Sequence, residues 1–279
     1  MARLTIITIN RNNAAGLKKT MQSVLTQTCC SFEYIVVDGA STDDSKEVIQ
    51  HYSREFRERL KWISEPDQGI YSAMNKGIQM ASGDYLQFLN SGDVLADRTV
   101  VDRMFTELEN KRFPSILYGN MLKELDSHTL LRDRCFRGNP VTLYGMYRGC
   151  LNHSPTYIRR ELFTKYGIYD EKLRICSDWK WFMQAIVLGE ETPVYVDIDV
   201  TVFDMTGISE TNKELMEKER RTLLQSMIPS GILADYDKNY SLTNTINRLK
   251  DHPVVYRVVF FLERVCFKFD RMKKEIIRK

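Results

Sequence analysis

Residues 64–93 read SEPDQGIYSAMNKGIQMASGDYLQFLNSGD, a polar loop, a helix, an apolar strand and an acidic strand end in direct succession. Tyr85, Leu86, Gln87, Phe88 and Leu89 predict a short buried strand from their apolar and aromatic content. Asn90, Ser91, Gly92 and Asp93 then break it with turn residues and deliver a carboxylate just past its end. Ligands of open α/β sheets sit at the carboxyl ends of the strands, so Asp93 is expected at a site.

The same alternation extends towards the N-terminus. Residues 4–9 predict a buried strand, Leu17, Met21, Val24 and Leu25 recur at helical spacing, and residues 32–37 predict the next strand. Ser41, Thr42, Asp43 and Asp44 read as a capping signal for a helix running towards Arg59. A third strand at 60–63, a helix at 71–80 and the strand at 85–89 complete a doubly wound, mostly parallel α/β sheet. Beyond Val94 the pattern is mixed, with strands at 115–121, 154–159 and 194–203 and a hairpin arm at 129–136. Ser177 reads as the cap of a helix carrying Trp179 to Val187, and residues 206–209 as a loop before a polar helix. The expected organisation is a catalytic body at 1–228, split into a nucleotide-binding half (1–93) and an acceptor half (94–228). Pro229-Ser230-Gly231 separates it from a basic amphipathic helical tail at 229–279.

The charge is uneven. Residues 248–279 hold 10 Lys and Arg against 4 Asp and Glu, leaving 30 against 33 elsewhere. No nucleic-acid-binding signature accompanies the basic tail, which argues against nucleic acid as a partner. Its apolar positions from Val255 to Ile276 follow a helical stripe, which suits an anionic membrane surface or docking on protein, including a second copy of the chain. Six cysteines without a C-x-x-C pair read as free thiols of a reducing cytoplasm rather than a zinc site. Neither a signal peptide nor a spanning helix is indicated, so the expected location is cytoplasmic, peripheral to the inner face of the membrane.

The run at 64–93, together with VVDGASTDDS at 36–45, resembles the family 2 glycosyltransferases, inverting enzymes of GT-A fold. The nearest likeness is to bacterial enzymes that assemble surface polysaccharides such as colanic acid and O antigen. The resemblance covers residues 4–209 and implies a nucleotide-sugar donor, with a UDP-sugar favoured, and a glycan or lipid-linked acceptor. It makes Thr8, Asn10, Asp38 and Asp67 nucleoside-binding candidates, joined at the same rim by Arg11, Ser41 and Gly69. Asn75 and Lys76 are expected to orient sugar or phosphate, and Ser209 to close over the diphosphate at a helix start. Asp93 is the expected ligand of a divalent cation, Mn2+ or Mg2+, that screens the leaving diphosphate. Relatives commonly carry Asp where this chain has Asn90 and Gly92, and a second Asp where it has Gly39. Asp178 in the sequence Cys176-Ser177-Asp178-Trp179 matches the acidic catalytic motif and is the candidate general base. His153 and Trp179 are candidates for the acceptor side, with core packing the competing role for Trp179.

Two other classes compete. A sugar nucleotidyltransferase would need a Gly-rich basic loop after the first strand, which residues 10–16 (NRNNAAG) lack. A non-catalytic nucleotide-sugar-binding or assembly protein is kept open by the thinned acidic motif at 90–93.

Overall fold

The computed structural model describes residues 4–126 and 129–277, with backbone only for residues 125, 126, 208, 209 and 270–277. Two compact units divide the chain, at 1–223 and 224–279.

The first unit opens with β1 (Leu4–Asn10), α1 (Ala14–Leu25), β2 (Phe32–Asp38), α2 (Ser45–Phe56) and, after a 3-10 turn, β3 (Leu60–Ser64). Then come α3 (Ile70–Met80), β4 (Tyr85–Phe88), β5 (Val94–Leu95), α4 (Val100–Asn110), β6 (Ile116–Asp126), β7 (Thr129–Asp133) and α5 (Leu143–Arg148). β8 (Thr156–Arg159), α6 (Glu161–Tyr166), α7 (Ser177–Phe182), a π-helical stretch (Met183–Leu188), β9 (Pro193–Phe203), α8 (Ile208–Thr211) and α9 (Lys213–Met227) follow. The second unit takes the end of α9 with α10 (Ser230–Lys250) and α11 (Pro253–Ile277).

The strands form one sheet in the order β3-β2-β1-β4-β8-β6-β9-β5, with β7 paired to β6. The first four are parallel, whereas β8 runs antiparallel to both β4 and β6. β1 is buried along its whole length, as a strand covered on both faces must be, which explains its nearly continuous apolar sequence. Leu17, Met21 and Val24 of α1 bury one helical stripe, and Asn13 caps that helix by accepting the Gly16 N–H at 3.0 Å. A second apolar cluster stacks Phe163 on Trp181 at 4.6 Å and sets Tyr169 edge-on to Phe88 and Phe163, which fixes the loop leading into α7.

The polar run at 41–44 caps α2 through Asp43, whose Oδ1 accepts the Ser45 N–H at 3.1 Å, while Asp44 at the cap position makes no side-chain bond. Ser41 and Asp43 also accept the N–H groups of Asn12 and Ala14, so the loop after β2 is tied to the loop after β1. Two local expectations change. Ser177 accepts the Asp170 N–H at 2.6 Å, and Cys176 occupies the cap position of α7. The expected loop at 206–209 already turns into α8 at Ile208.

Candidate active site

The carboxyl ends of β1, β2 and β3 lie level, with Asn10 opposite Asp38 and Asp38 opposite Ser64. Several residues at this rim are committed to the protein itself. Thr8 is fully buried, its hydroxyl 2.7 Å from the Leu89 carbonyl and 2.9 Å from the Tyr34 hydroxyl. Asp38 is fully buried and accepts from Asn10, from the N–H and hydroxyl of Ser41, and from Ser64, so all four of its acceptor positions are filled. Burial would raise its carboxyl, but those bonds hold it below the usual range. Thr8, Asp38 and Ser41 thus build the rim from behind, together with the amide nitrogen of Asn10, whose Oδ1 is buried without a partner. Asn75 likewise bonds the N–H and carbonyl of Tyr169, bracing α3 against the loop before α7 rather than facing a ligand.

The open side of the rim carries Arg11, Gly69 and Lys76, with the Asp67 side chain, 5% exposed, tucked beneath Lys76. The Lys76 ammonium sits 2.7 Å from Asp67 and 2.9 Å from Glu65. A β-carbon on Gly39 would lie 2.8 Å from Asp67 Oδ2, so the Asp67 carboxylate fills the space beside Gly39. Gly69, at φ +142° and with open space where a β-carbon would stand, lets the chain enter α3 through a conformation other residues rarely adopt.

At the end of β4 the turn brings Asp93 inward. Thr20 donates to the Asp93 carbonyl and accepts the Gly92 N–H, pinning this turn to α1. Asp93 is 3% exposed; Oδ1 accepts the Asp204 N–H at 2.9 Å, and Oδ2 is buried without a hydrogen-bond partner. Burial pushes its carboxyl up to about 7, against the lowering effect of that N–H and of His153. Asp204, just past β9, leans over Gly92. Among the described residues no group of three or more His, Cys, Asp or Glu is placed to hold a metal ion. The orphaned oxygen of Asp93 beside Asp204 nonetheless fits a hard cation that takes its other ligands from phosphate and water.

Asp178 lies in the first turn of α7. Oδ1 accepts the Trp179 N–H at 2.8 Å and lies 2.9 Å from the Tyr71 hydroxyl, while Oδ2 lies 2.9 Å from His153 Nδ1. Burial raises the Asp178 carboxyl, but the His153 contact, with help from Tyr71, outweighs it and holds the group below the usual range. For His153 burial works downward, and the Asp178 bond and charge outweigh it to raise the imidazole. The other edge of the ring, Nε2, is 3.4 Å from the Asn90 amide nitrogen. Glu219 of α9 accepts the N–H groups of Arg174, Ile175 and Cys176 and so holds the loop that presents Asp178.

Trp179 is core. Its indole N–H reaches the carbonyls of Met146 and Gly149, and Arg220 covers its ring at 5.1 Å, leaving no face for an acceptor sugar. The backbone of Ser209 lies in α8, and its side chain is outside the described residues. Tyr71, Asp204 and Glu219 are site residues that the sequence reading passed over. Asp204 carried a usable signal, since it ends a strand ahead of a Gly-containing turn as Asp93 does.

The family model Glycosyl transferase family 2 matches residues 5–171. A PGL/p-HBAD biosynthesis glycosyltransferase of Mycobacterium bovis is 28% identical over 219 residues, covering 77% of this chain and 82% of the relative. An uncharacterized glycosyltransferase of Mycobacterium tuberculosis is 34% identical over 208 residues, covering 74% and 76%. Among solved structures, S. aureus TarS 1-349 in complex with UDP-GlcNAc superposes with a TM-score of 0.64 at 16% identity, over 82% of this chain and 68% of that one. The mannosyltransferase PcManGT from Pyrobaculum calidifontis, in complex with GDP-Man and Mn2+, gives 0.55 at 16% identity, over 72% and 56%. At such identities the two structures establish the shared fold.

Proposed function

The chain belongs to glycosyl transferase family 2 and is a glycosyltransferase of GT-A fold; from that premise we propose that it transfers a sugar, with inversion, from a UDP-sugar to a glycan or lipid-linked acceptor in bacterial polysaccharide biosynthesis. The observation that carries this reading is the position of Asp178. It comes from the acceptor half, yet through His153 it reaches Asn90, in the turn that also carries Asp93.

In this reading Arg11, Asp67 and Lys76 line the nucleotide and phosphate side, and Asp93 with Asp204 would hold the divalent cation. When bound, that ion supplies charge neutralisation to the departing diphosphate. Asp178 takes the proton of the acceptor hydroxyl, whose oxygen attacks the anomeric carbon from the face opposite the leaving group. The bond to the nucleoside diphosphate breaks, and the diphosphate leaves with the electron pair. The preference for UDP is supported by the TarS complexes with UDP and UDP-GlcNAc, which report on that protein's ligands.

No helix among the described residues is long and apolar enough to cross a membrane. α11 instead exposes Val254, Val258, Phe261, Leu262 and Phe269 between basic residues, which supports a peripheral location on the inner face of the cell membrane.

Incubating the full chain with UDP-, GDP-, dTDP- and CMP-sugars, with and without manganese, tests the reading through thermal shift and nucleotide release. Stabilisation and turnover of a UDP-sugar are expected. Binding without nucleotide release would favour a non-catalytic assembly protein, and turnover of a GDP-, dTDP- or CMP-sugar alone would overturn the UDP assignment.

A further inference from the structure

Oδ2 of Asp178 keeps an acceptor position beside the one that His153 holds. An ionised carboxylate offers about four acceptor sites. Oδ1 accepts the Trp179 N–H and lies 2.9 Å from the Tyr71 hydroxyl, whose one proton also reaches the Ile175 carbonyl, while one site of Oδ2 faces His153 Nδ1. Oδ2 is the oxygen whose direction the imidazole fixes, and a proton taken from an acceptor sugar there meets a lone pair that the ring has aimed.

The ring is held at its other edge by Asn90. The amide nitrogen of Asn90 lies 3.4 Å from Nε2, and its Oδ1 is buried without a partner. Turned over, the same amide would present Oδ1 to an Nε2–H, so Asn90 suits the neutral ring through its N–H and the charged ring through its oxygen. A carboxylate at residue 90 would accept only. The backbone that carries His153 is tied down on its C-terminal side. The His153 carbonyl accepts the Thr156 N–H at 3.1 Å, and the next carbonyl, of Ser154, accepts from the buried Gln87 side chain at 2.9 Å.

We propose that His153 is a positioning residue for the base, and that Asn90, His153 and Asp178 form one hydrogen-bonded unit joining the donor-side turn to the acceptor side. The proposal rests on the reading of Asp178 as the base. His153 acts through Asp178, aiming Oδ2 and its free lone pair, and takes no part in donor binding.

Two substitutions separate the edges of the ring. Asn at 153 places an amide nitrogen near the position of Nδ1, and Gln places one near Nε2. With UDP-glucose and UDP-N-acetylglucosamine as donors and water as acceptor, His153→Gln should lower kcat by about 10²-fold, the scale of a misplaced catalytic group, with KM unchanged. His153→Asn should restore kcat to within about tenfold of wild type. Equal kcat values for the two variants would overturn the proposal. Asp178→Asn distinguishes this failure from that of the underlying reading: if it turns over normally, the base assignment itself falls. If Asp178→Asn is inactive while His153→Gln is normal, only the positioning role falls.

A measurement independent of turnover uses long-range 1H–15N NMR on the full chain, which has four histidines. The His153 ring is expected to carry a proton on Nδ1, with resonances that move in both Asp178→Asn and Asn90→Ala. A ring protonated on Nε2 alone, or one indifferent to both substitutions, would contradict the proposal.

Discussion

The Asp204 carboxylate stands over the α-carbon of Gly92: a β-carbon at residue 92 would lie 2.4 Å from Asp204 Oδ2, and Gly92 itself has φ +107°. The missing side chain at 92 and the strand-end carboxylate 204 are thus one arrangement. Asp204 brings a second carboxylate from the end of β9 to the turn that carries Asp93.

Gly92→Ala should be costly for two reasons, the positive φ and the collision with Asp204. Strained backbone of this kind costs about 1–3 kcal/mol, so the melting temperature should fall by several degrees. The displaced Asp204 should also weaken manganese-dependent binding of UDP, measured by isothermal titration. An unchanged melting temperature together with unchanged binding would mean that the Gly92–Asp204 contact is incidental.

Asp93 makes stability depend on pH with a definite sign. Its folded pKa of about 7 lies above the ordinary carboxylate value, so the folded chain keeps a proton that the unfolded chain releases. The stability this confers is complete below about pH 4 and is lost as pH rises through 7. Asp93→Asn imitates the protonated form without titrating. In metal-free buffer the mutant should therefore gain on wild type from pH 4 to 7 and plateau above, by on the order of 2–4 kcal/mol. Manganese at pH 8 should narrow the gap by stabilising only the wild type. Melting curves that stay parallel across this range, with no manganese effect, would contradict both the burial argument and the cation site.

Deleting residues 253–279 should reduce co-flotation with vesicles containing phosphatidylglycerol, while hydrolysis of UDP-sugars in solution stays within about threefold of wild type, as for a surface helix outside the catalytic body. Truncated protein that aggregates would show instead that the apolar face of α11 is covered by protein.

The parts of the fold that could be read from sequence are those set by neighbouring residues. Alternating strands and helices through Phe88, the polar turn at 90–93 and the helix bearing Asp178 all follow from local pattern. What escaped depends on contacts between distant segments. Asp38 looks like an open carboxylate until Asn10, Ser41 and Ser64 are seen to fill its acceptor positions. Trp179 looks like a stacking platform until Arg220 and two carbonyls claim it. His153 and Asp178 are 25 residues apart, and no periodicity announces that they meet.

Asp178 bears the central claim, and the most direct test is a comparison of donor binding with turnover in Asp178→Asn. The substitution keeps the side chain's shape and removes its basicity. Positioned general-base catalysis contributes about 10²- to 10⁴-fold, so kcat for the preferred UDP-sugar should fall within that range while the Kd for UDP stays near that of wild type. A mutant with normal turnover would return Asp178 to a helix-terminal structural role, and loss of UDP affinity together with thermal stability would show that it supports the fold rather than the chemistry.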